Sequence, residues 1–301
     1  IADGAAPRTR SAIEYLRRQG GKRLRPLVVL ASTRACGGDP EWSVREAALV
    51  EWLHQTSLVI DDVLDGATLR RGGPTLHHAT SVPFATGVAL QLLSRLASSA
   101  RDLPESGRVL FAEAAATLAD GEWSEMRHTG DPTLSLTEYH RIVEAKTARL
   151  FSAAAALGGL AAGAPPAHVR ALSRSGREAG LAFQIVDDLL DLVGDERDLG
   201  KRPGTDLRAR KCTLPILLLR DASDAAERVH LEALVRGERA VDDAEIARLC
   251  ARVRDLGIDA RCRERAQSHL ARALAELERL PDREGARVLA ELFGRCVERD
   301  R

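Results

Sequence analysis

The chain has 301 residues, of which 45% are hydrophobic and 29% are charged, with 44 basic and 44 acidic side chains. This composition is that of an ordinary globular protein, and a formal net charge of zero excludes a general attraction to nucleic acid or to an anionic membrane surface. No apolar segment approaches the roughly 20 residues that a membrane-spanning helix needs, and no signal peptide is recognisable.

The five cysteines predict a reducing compartment. They occur at positions 36, 212, 250, 262 and 296, an odd number without CxxC spacing. We therefore expect reduced thiols in a cytoplasmic protein, and neither a disulfide framework nor a zinc site. Because the sequence begins with Ile1 and not with Met, we also expect that a native segment precedes it.

Helical periodicity dominates the chain, since Ala, Leu, Arg and Glu are abundant and strand-like alternation is nearly absent. In chain order, the pattern predicts helices over residues 8–19, 24–37, 42–66, 81–100, 107–128, 136–161, 167–194, 206–221, 243–256, 259–279 and 284–299. Turns with Gly or Pro separate these segments, and Ser135 followed by Glu138 predicts a helix cap. Because no linker or low-complexity segment divides the chain, we expect one all-α domain over residues 1–301, a bundle of about ten or more helices.

Two of the predicted helices carry the same acidic motif. IDDVLD at 60–65 is repeated as VDDLLD at 186–191, and an apolar segment precedes each copy. Positions i and i+4 share a helix face, so each motif places two stacked carboxylates with a third beside them. The six carboxylates belong to Asp61, Asp62, Asp65, Asp187, Asp188 and Asp191.

Such a carboxylate triplet is stabilised by positive charge beside it. Three carboxylates in one turn repel one another, and partial burial adds a desolvation cost. A hard divalent cation removes both costs, and oxygen-only ligands favour Mg²⁺, with Mn²⁺ as the alternative. Magnesium usually keeps waters and shares its remaining positions with substrate phosphates. One such motif is more often a solvated helix face, but its duplication beside apolar segments indicates a metal site.

The basic residues supply a second signal. Only four of the 44 are lysine, at positions 22, 146, 201 and 211, and an ammonium is not equivalent to a planar guanidinium. The loop before Arg25 contains two glycines and leads into a predicted helix, where backbone N–H groups favour anions. Arg70 and Arg71 precede a second glycine pair. Two acidic motifs with several cationic segments predict a site for two polyphosphates.

The order of these segments closely resembles that of the all-trans polyprenyl diphosphate synthases, and in particular of geranylgeranyl diphosphate synthases. The shared segments are GGKRLRP at 20–26, DDxxD-x4-RRGxPT at 61–75, KT at 146–147, FQxxDDLLD at 183–191 and K-x9-K-x-TLP at 201–215. The resemblance implies an all-α fold around a central cavity, usually as a homodimer. It also implies that isopentenyl diphosphate condenses head-to-tail with dimethylallyl, geranyl or farnesyl diphosphate, with Mg²⁺ as the cofactor.

Carried over by position, the resemblance assigns a role to each candidate residue. The Mg²⁺ ligands would be Asp61, Asp62, Asp65, Asp187, Asp188 and Asp191. The allylic diphosphate would bind Arg70, Lys146, Thr147, Gln184, Lys201 and Lys211. Isopentenyl diphosphate would bind Lys22, Arg25, His54 and Arg71. Lys146 and Lys201 would act with the aspartates in catalysis, by neutralising charge on the departing diphosphate.

Three positions depart from the commonest pattern of that family. Ile60 stands where a His often precedes the first motif, Val88 where an Asp is expected, and Arg210 where a Gly often precedes the last lysine. None of them is a metal or diphosphate residue under the resemblance. They therefore bear on substrate preference and helix packing more than on the type of reaction.

Residues one to two turns before Asp61 predict the product length. Thr56 and Ser57 are small, and Trp52 lies one turn before Thr56 on the same helix face. The resemblance implies that the prenyl tail descends along this face, where about 5.4 Å per turn is close to one isoprene unit. We expect a mid-length product, geranylgeranyl diphosphate, with packing in the core or at a dimer contact as the alternative role for Trp52.

Three other functions are compatible with parts of the pattern. A class I terpene cyclase would also ionise a prenyl diphosphate on Mg²⁺, but such sites use aromatic faces, and aromatic residues make up only 3% of this chain. A non-catalytic partner subunit of a prenyl synthase could lose metal or lysine positions, whereas both triplets and all four lysines are present. A helical scaffold with an incidental metal site explains neither the duplicated motif nor the distribution of lysines.

Overall fold

The fold is helical in a computed structural model that describes residues 6–194 and 202–298. The helices are α1 (Pro7–Arg18), α2 (Leu24–Ala35), α3 (Val44–Leu64), α4 (Leu76–Ala79), α5 (Val82–Ala100), α6 (Glu105–His128), α7 (Leu136–Val143), α8 (Arg149–Ala161), α9 (Pro166–Val193), α10 (Thr205–Arg208), α11 (Leu214–Ala222), α12 (Ala225–Arg236), α13 (Asp243–Asp255), α14 (Ile258–Leu277) and α15 (Arg283–Val297). A 3₁₀ turn over Pro40–Ser43 precedes α3, and a π turn over Glu144–Ala148 joins α7 to α8. Two strands, β1 (Leu69–Arg70) and β2 (Gly73–Pro74), form an antiparallel hairpin.

The predicted all-α class is confirmed, and three local differences have physical reasons. The π turn interrupts the predicted helix over 136–161, although Ser135 caps α7 as expected by accepting from the Glu138 N–H at 3.1 Å. The predicted helix over 206–221 is broken between α10 and α11, where Arg210 has a φ of +61°. The periodicity misses α12, although Asp224 caps it through the Glu227 N–H at 2.9 Å.

The larger hydrophobic core surrounds α9, which packs closely against α8 and α14. Small residues bring α8 and α9 together, since a Cβ built on Gly180 would lie only 2.7 Å from the Cα of Ala148. This close approach places the second acidic motif, near the end of α9, beside the π turn that leads into α8.

A smaller apolar cluster lies between α3 and helices α1, α4 and α5. It contains Val59 and Val88, and Ile60 packs against it. Ile60 and Val88, two of the three positions that depart from the family pattern, therefore lie in the same apolar cluster. Val59, next to Ile60, faces it too. Trp52 packs against both clusters. In the part of the chain that the structure covers, no helix combines the length and apolar character needed to cross a bilayer.

Candidate active site

The first acidic motif, at the end of α3, is surrounded by cations. Asp61 accepts from Lys146 Nζ at 2.8 Å and from Arg70 Nη2 at 3.0 Å. Arg70 Nε also donates to the buried Asp62 at 2.7 Å, so one guanidinium joins two successive carboxylates. Asp65 accepts from Lys211 Nζ at 2.7 Å. All three carboxylates of the motif thus contact a residue that the sequence had marked as a diphosphate ligand.

The β1–β2 hairpin presents the two arginines in different directions. Arg71 and Gly72 have φ values of +53° and +77°, as a tight two-residue hairpin turn requires. Arg70, on β1, points to the motif, whereas Arg71 Nη1 donates to the carbonyl of Gly20 at 2.5 Å. A Cβ on Gly21 would lie 2.7 Å from Arg71 Cζ, so only glycine leaves room for this contact.

Two glutamates on α6 complete the site, and the sequence pattern did not single them out. Lys146 Nζ lies 3.0 Å from Glu122 Oε2 and 2.5 Å from Glu125 Oε2, while Lys211 Nζ lies 2.8 Å from the same Glu125 oxygen. Oxygens of Asp61, Glu122 and Glu125 lie within 4.8 Å of one another. The spacing of three residues places both glutamates on one helix face, a signal that could have identified them.

The acids around Lys146 have pKa values that shift in opposite directions. Burial alone would lower the pKa of Lys146, but Glu125, Asp61 and Glu122 outweigh it and raise that pKa. Burial is likewise outweighed by the lysines at Asp61 and Glu125, whose pKa values are lowered. At Glu122 burial dominates and raises the pKa to about 7. Asp61 and Glu125 therefore stay ionised around the ammonium, and Glu122 takes up a proton most readily.

In the second motif, near the end of α9, neutral side chains hold Asp188. Tyr139 Oη donates to Asp188 Oδ2 at 2.5 Å, and Gln184 Nε2 donates to Asp188 Oδ1 at 2.8 Å. Burial raises the pKa of Asp188 to about 7, although both hydrogen bonds act to lower it. Asp191 is 2% exposed and accepts from a backbone N–H, whereas Asp187 is exposed.

The π turn is the first bridge between the two motifs. Its Lys146 reaches Asp61 of the first motif, and its Thr147 donates to Gln184 Oε1 at 2.8 Å, next to Asp188. Gly121 permits this arrangement, because a Cβ there would lie 2.7 Å from the backbone nitrogen of Lys146. Irregular π turns inside helices are frequent at functional sites, and here the turn points adjacent residues at different motifs.

The segment 204–211, which we call the strap, is the second bridge. The N–H of Asp206 donates to Asp191 Oδ2 at 2.9 Å, at the second motif. At the other end of the strap, Lys211 contacts Asp65 of the first motif and Glu125 of α6. The strap therefore joins the two acidic motifs and carries one of the predicted diphosphate ligands between them.

A second cationic group lies at the start of α2. Arg25 Nη1 is 3.1 Å from His54 Nε2, and Arg25 Cζ lies 4.7 Å from the centre of the Phe151 ring. Burial lowers the pKa of Arg25 to about 10, although Glu51 and Asp187 act to raise it. Burial and then Arg25 lower the pKa of His54 far below its usual value, so this imidazole is neutral. The Arg25 Nε is buried without a hydrogen-bond partner, a feature that fits an anion site.

The remaining candidates have simpler positions. Lys22 is exposed in the loop before α2, and Lys201 lies outside the residues that the structure describes. Thr56 is fully buried and donates to the Trp52 carbonyl at 2.7 Å, and Ser57 donates to the His54 carbonyl at 2.8 Å.

The donor chemistry of the site fits a hard divalent cation. The acidic groups that meet at the site offer only oxygen ligands, and Asp61 lies with two further carboxylates at ligand spacing. Oxygen-only sites select ions such as Mg²⁺, Mn²⁺ or Ca²⁺ over metals that prefer nitrogen or sulfur.

Comparison with known proteins gives a consistent result. A family model for polyprenyl synthetase matches residues 6–253. The octaprenyl diphosphate synthase of Escherichia coli is 33% identical, over 95% of this chain and 88% of its own. A geranylgeranyl diphosphate synthase of Mycobacterium tuberculosis is 36% identical, over 87% of this chain and 77% of its own.

A solved structure is similar over nearly the whole described fold. The polyprenyl synthase of Caulobacter crescentus, crystallised with calcium and isoprenyl diphosphate, is 34% identical, with a TM-score of 0.86. The match covers 96% of this chain and 88% of that protein. Together with the family model, these matches establish that the chain belongs to the polyprenyl synthetase family, whose enzymes are transferases that make prenyl diphosphates.

Proposed function

We propose that this protein condenses isopentenyl diphosphate head-to-tail with an allylic diphosphate to give a linear all-trans prenyl diphosphate. The observation that carries this proposal is the double bridge between the motifs, through the π turn and through the strap. Both bridges place a lysine against first-motif carboxylates, at the border of the second motif. An anion that enters between the motifs would find two ammonium groups already in place.

Each cationic group has its own diphosphate in this proposal. Arg70, Lys146 and Lys211, all near the acidic motifs, hold the allylic diphosphate, and Thr147 and Gln184 set the register of the π turn. Arg25 and His54 hold isopentenyl diphosphate, together with Lys22 and Arg71 of the adjacent loops. The buried, unpartnered Nε of Arg25 supports this division, since a bound anion would satisfy it. The role of Lys201 stays a prediction from the sequence.

Mg²⁺ is the proposed cofactor, held at the two acidic motifs, whose six aspartates the sequence predicts as its ligands. When bound, it supplies positive charge that stabilises the departing diphosphate. Asp65 is the exposed member of the first motif, and Asp187 is the exposed member of the second. Asp62 and Asp188 are buried and held by side-chain donors, so they orient the motifs and complete their charge.

The reaction needs one bond broken and one formed. The C1–O bond of the allylic substrate breaks, and the diphosphate leaves with the electron pair. The double bond of isopentenyl diphosphate supplies the electrons for the new carbon–carbon bond, and the proton released from the neighbouring carbon passes to the freed diphosphate. Lys146 and Lys211 stabilise the leaving group, because two charged donors lie where negative charge accumulates. No residue of the described site is assigned as the base. The family resemblance gives that role to the released diphosphate.

Geranylgeranyl diphosphate is the proposed product. The small side chains of Thr56 and Ser57 favour an open first level for the growing chain, and the indole of Trp52 favours a limit one turn deeper. Thr56→Phe should shorten the product and Trp52→Ala should lengthen it. Product lengths that stay the same in both folded variants would contradict this model of the chain limit.

A homodimer is the proposed assembly. Val82, Leu90 and Leu93 are exposed along one face of α5, and Val109 and Trp123 are exposed on the following helix, α6. Apolar stripes on two adjacent helices fit a second copy of the chain better than they fit water. We expect a dimer in sedimentation and a shift toward monomer in Leu90→Asp. A cytoplasmic location stays a prediction, which five cysteines without a disulfide bond support.

The test of the proposed function is direct. The purified protein is incubated with Mg²⁺, labelled isopentenyl diphosphate and, separately, dimethylallyl, geranyl or farnesyl diphosphate, and the dephosphorylated products are sized. Linear prenyl alcohols containing label are expected. Cyclic hydrocarbons without label would favour a terpene cyclase. Folded protein that binds the substrates without converting any of them would favour a partner subunit.

A further inference from the structure

The strap that carries Lys211 has a left-handed backbone at Arg210, whose φ is +61°. Within residues 6–194 and 202–298, non-glycine residues with positive φ occur at Arg23, Arg71 and Arg210, all in the cationic loops. A side chain at such a position is disfavoured, and it persists where its surroundings impose it. Glycine, which has no side chain, would relieve the strain. The arginine must therefore gain something from its side chain.

The Arg210 side chain lies between the ends of two helices. A Cβ on Gly130, just beyond α6, would lie 3.0 Å from Arg210 Cζ, and one on Gly237, just beyond α12, would lie 3.2 Å from Arg210 Cδ. Arg210 Nε donates to the carbonyl of Val235, near the end of α12, at 3.4 Å. Both glycines thus leave room for the guanidinium and its stem.

The backbone of Arg210 adds a third attachment. Its carbonyl accepts from the N–H of Gly130 at 2.8 Å, and the N–H of Lys211 donates to Asp206 at 2.8 Å. The next side chain, Lys211, contacts Glu125 on α6 at 2.8 Å. The strap therefore has two contacts near α6. One is with Gly130, just beyond the end of the helix and outside the site, and the other is with Glu125, on the helix and inside the site.

We propose that Arg210 is a positioning residue, which anchors the strap to the ends of α6 and α12 and so aims Lys211 at the allylic diphosphate. The inference rests on the proposed function for the identity of that ligand. A glycine at this position keeps the backbone hydrogen bond to Gly130 but removes the side-chain anchor and the strain together, so affinity and stability should change in opposite directions. A residue that is merely tolerated would change stability alone.

The experiment is a double-mutant cycle on binding, which needs no turnover. Calorimetry measures the Kd of geranyl diphosphate with Mg²⁺ for the wild type, Arg210→Gly, Lys211→Ala and the double variant. We expect Arg210→Gly to weaken binding about tenfold, as for a misplaced charged hydrogen bond, with Tm unchanged or higher. The double variant should bind no more weakly than Lys211→Ala, because Arg210 acts through Lys211. Arg236→Ala, at the same end of α12, is the control and should leave Kd unchanged.

Two results would overturn the proposal: an unchanged Kd in Arg210→Gly, or losses that add in the double variant. If Arg210→Gly does not fold, Arg210→Ala keeps the strain and removes the anchor, and it should show the same tenfold loss. Wild-type protein that binds geranyl diphosphate without elongating it would contradict the proposed function, while the cycle would still decide the role of Arg210. Wild-type protein that does not bind it would contradict both.

Discussion

The two acidic motifs have the same spacing, yet different kinds of group hold them. In the first, Arg70 and Lys146 donate charged hydrogen bonds to Asp61, and Lys211 does so to Asp65. In the second, the phenol of Tyr139 and the amide of Gln184 hold Asp188. Asp61 and Asp65 of the first motif therefore have charged donors, whereas Asp188 of the second motif has neutral ones.

The difference indicates a division of labour between the motifs. A charged partner can move from a carboxylate to an incoming anion and keep an attractive contact, since Lys146 and Lys211 also remain tied to Glu125. A buried carboxylate held by neutral donors keeps one geometry, because losing a donor leaves a desolvated acceptor unsatisfied. We infer that the first motif exchanges hydrogen-bond partners during substrate binding. Asp188, with its neutral donors Tyr139 and Gln184, keeps the same geometry throughout.

The largest expected effect compares Asp61→Asn with Asp188→Asn. Asp61 has the charged partners and the ligand spacing, so its loss should lower kcat about a thousandfold, as for a group that stabilises developing charge. Asp188 acts from behind the site, and its loss should cost about 10- to 100-fold, as for a supporting partner. Single-turnover rates at saturating Mg²⁺ measure both. Equal losses in the two variants would remove the distinction between the motifs.

Lys146→Met should produce the next largest effect, on stability. It leaves Asp61, Glu122 and Glu125 together without their shared ammonium, and breaking a buried ion pair costs about 3 kcal/mol. Urea unfolding in EDTA measures this loss, and saturating Mg²⁺ should restore part of it by replacing the positive charge. Lys22→Met, at an exposed position, is the control. A loss that Mg²⁺ leaves unchanged would argue against metal binding at this cluster.

Tyr139→Phe tests the neutral hydrogen bond that holds Asp188. Removing the phenol oxygen deprives the buried Asp188 of one donor, so the free energy of unfolding should fall by about 1–2 kcal/mol. Tyr15→Phe is a matched control, because its hydroxyl also donates at 2.5 Å, but to the Pro74 carbonyl at an exposed site. Mg²⁺ should not rescue Tyr139→Phe. Equal losses of unfolding free energy in the two tyrosine variants would show that the hydrogen bond to the buried Asp188 stabilises the protein no more than an exposed one does.

The sequence predicts the parts of this site whose residues are close together along the chain, and it misses contacts between helices that are distant in sequence. The carboxylates of each motif are recognisable because their spacing within one helix is local, and the lysines stand out in an arginine-rich chain. Tyr139 was missed because its partner Asp188 comes from another helix. Glu122 and Glu125 have a local spacing of three residues, but that spacing does not show that Lys146 and Lys211 contact them. The helices themselves follow the apolar period, except at α12, which the period misses, and at the π turn and Arg210, where Gly121, Gly130 and Gly237 allow tertiary contacts to override local preference.

The smallest expected effect concerns a carboxylate on the outer face of α9, ten residues before Asp188. Glu178 accepts from His269 and from Arg272, each at 2.8 Å. Partial burial acts to raise its pKa, but these two hydrogen bonds outweigh it and lower the pKa to about 2. Its contribution is therefore complete above pH 4.5 and is lost as the pH falls toward 2.

Because the Arg272 guanidinium that holds Glu178 is about half exposed, solvent screens this pair, and Glu178→Gln should cost about 0.5 kcal/mol at pH 7. The cost should shrink as the pH falls from 4.5 to 2, where the wild-type carboxylate is protonated too. Urea unfolding of both proteins across this range measures the difference, with the exposed Glu113→Gln as the control. A cost near that of Lys146→Met would mean that the number of cations sets the strength of such contacts. The expected small value would mean that burial sets it, and that the first motif is strong because its cations are shielded from water.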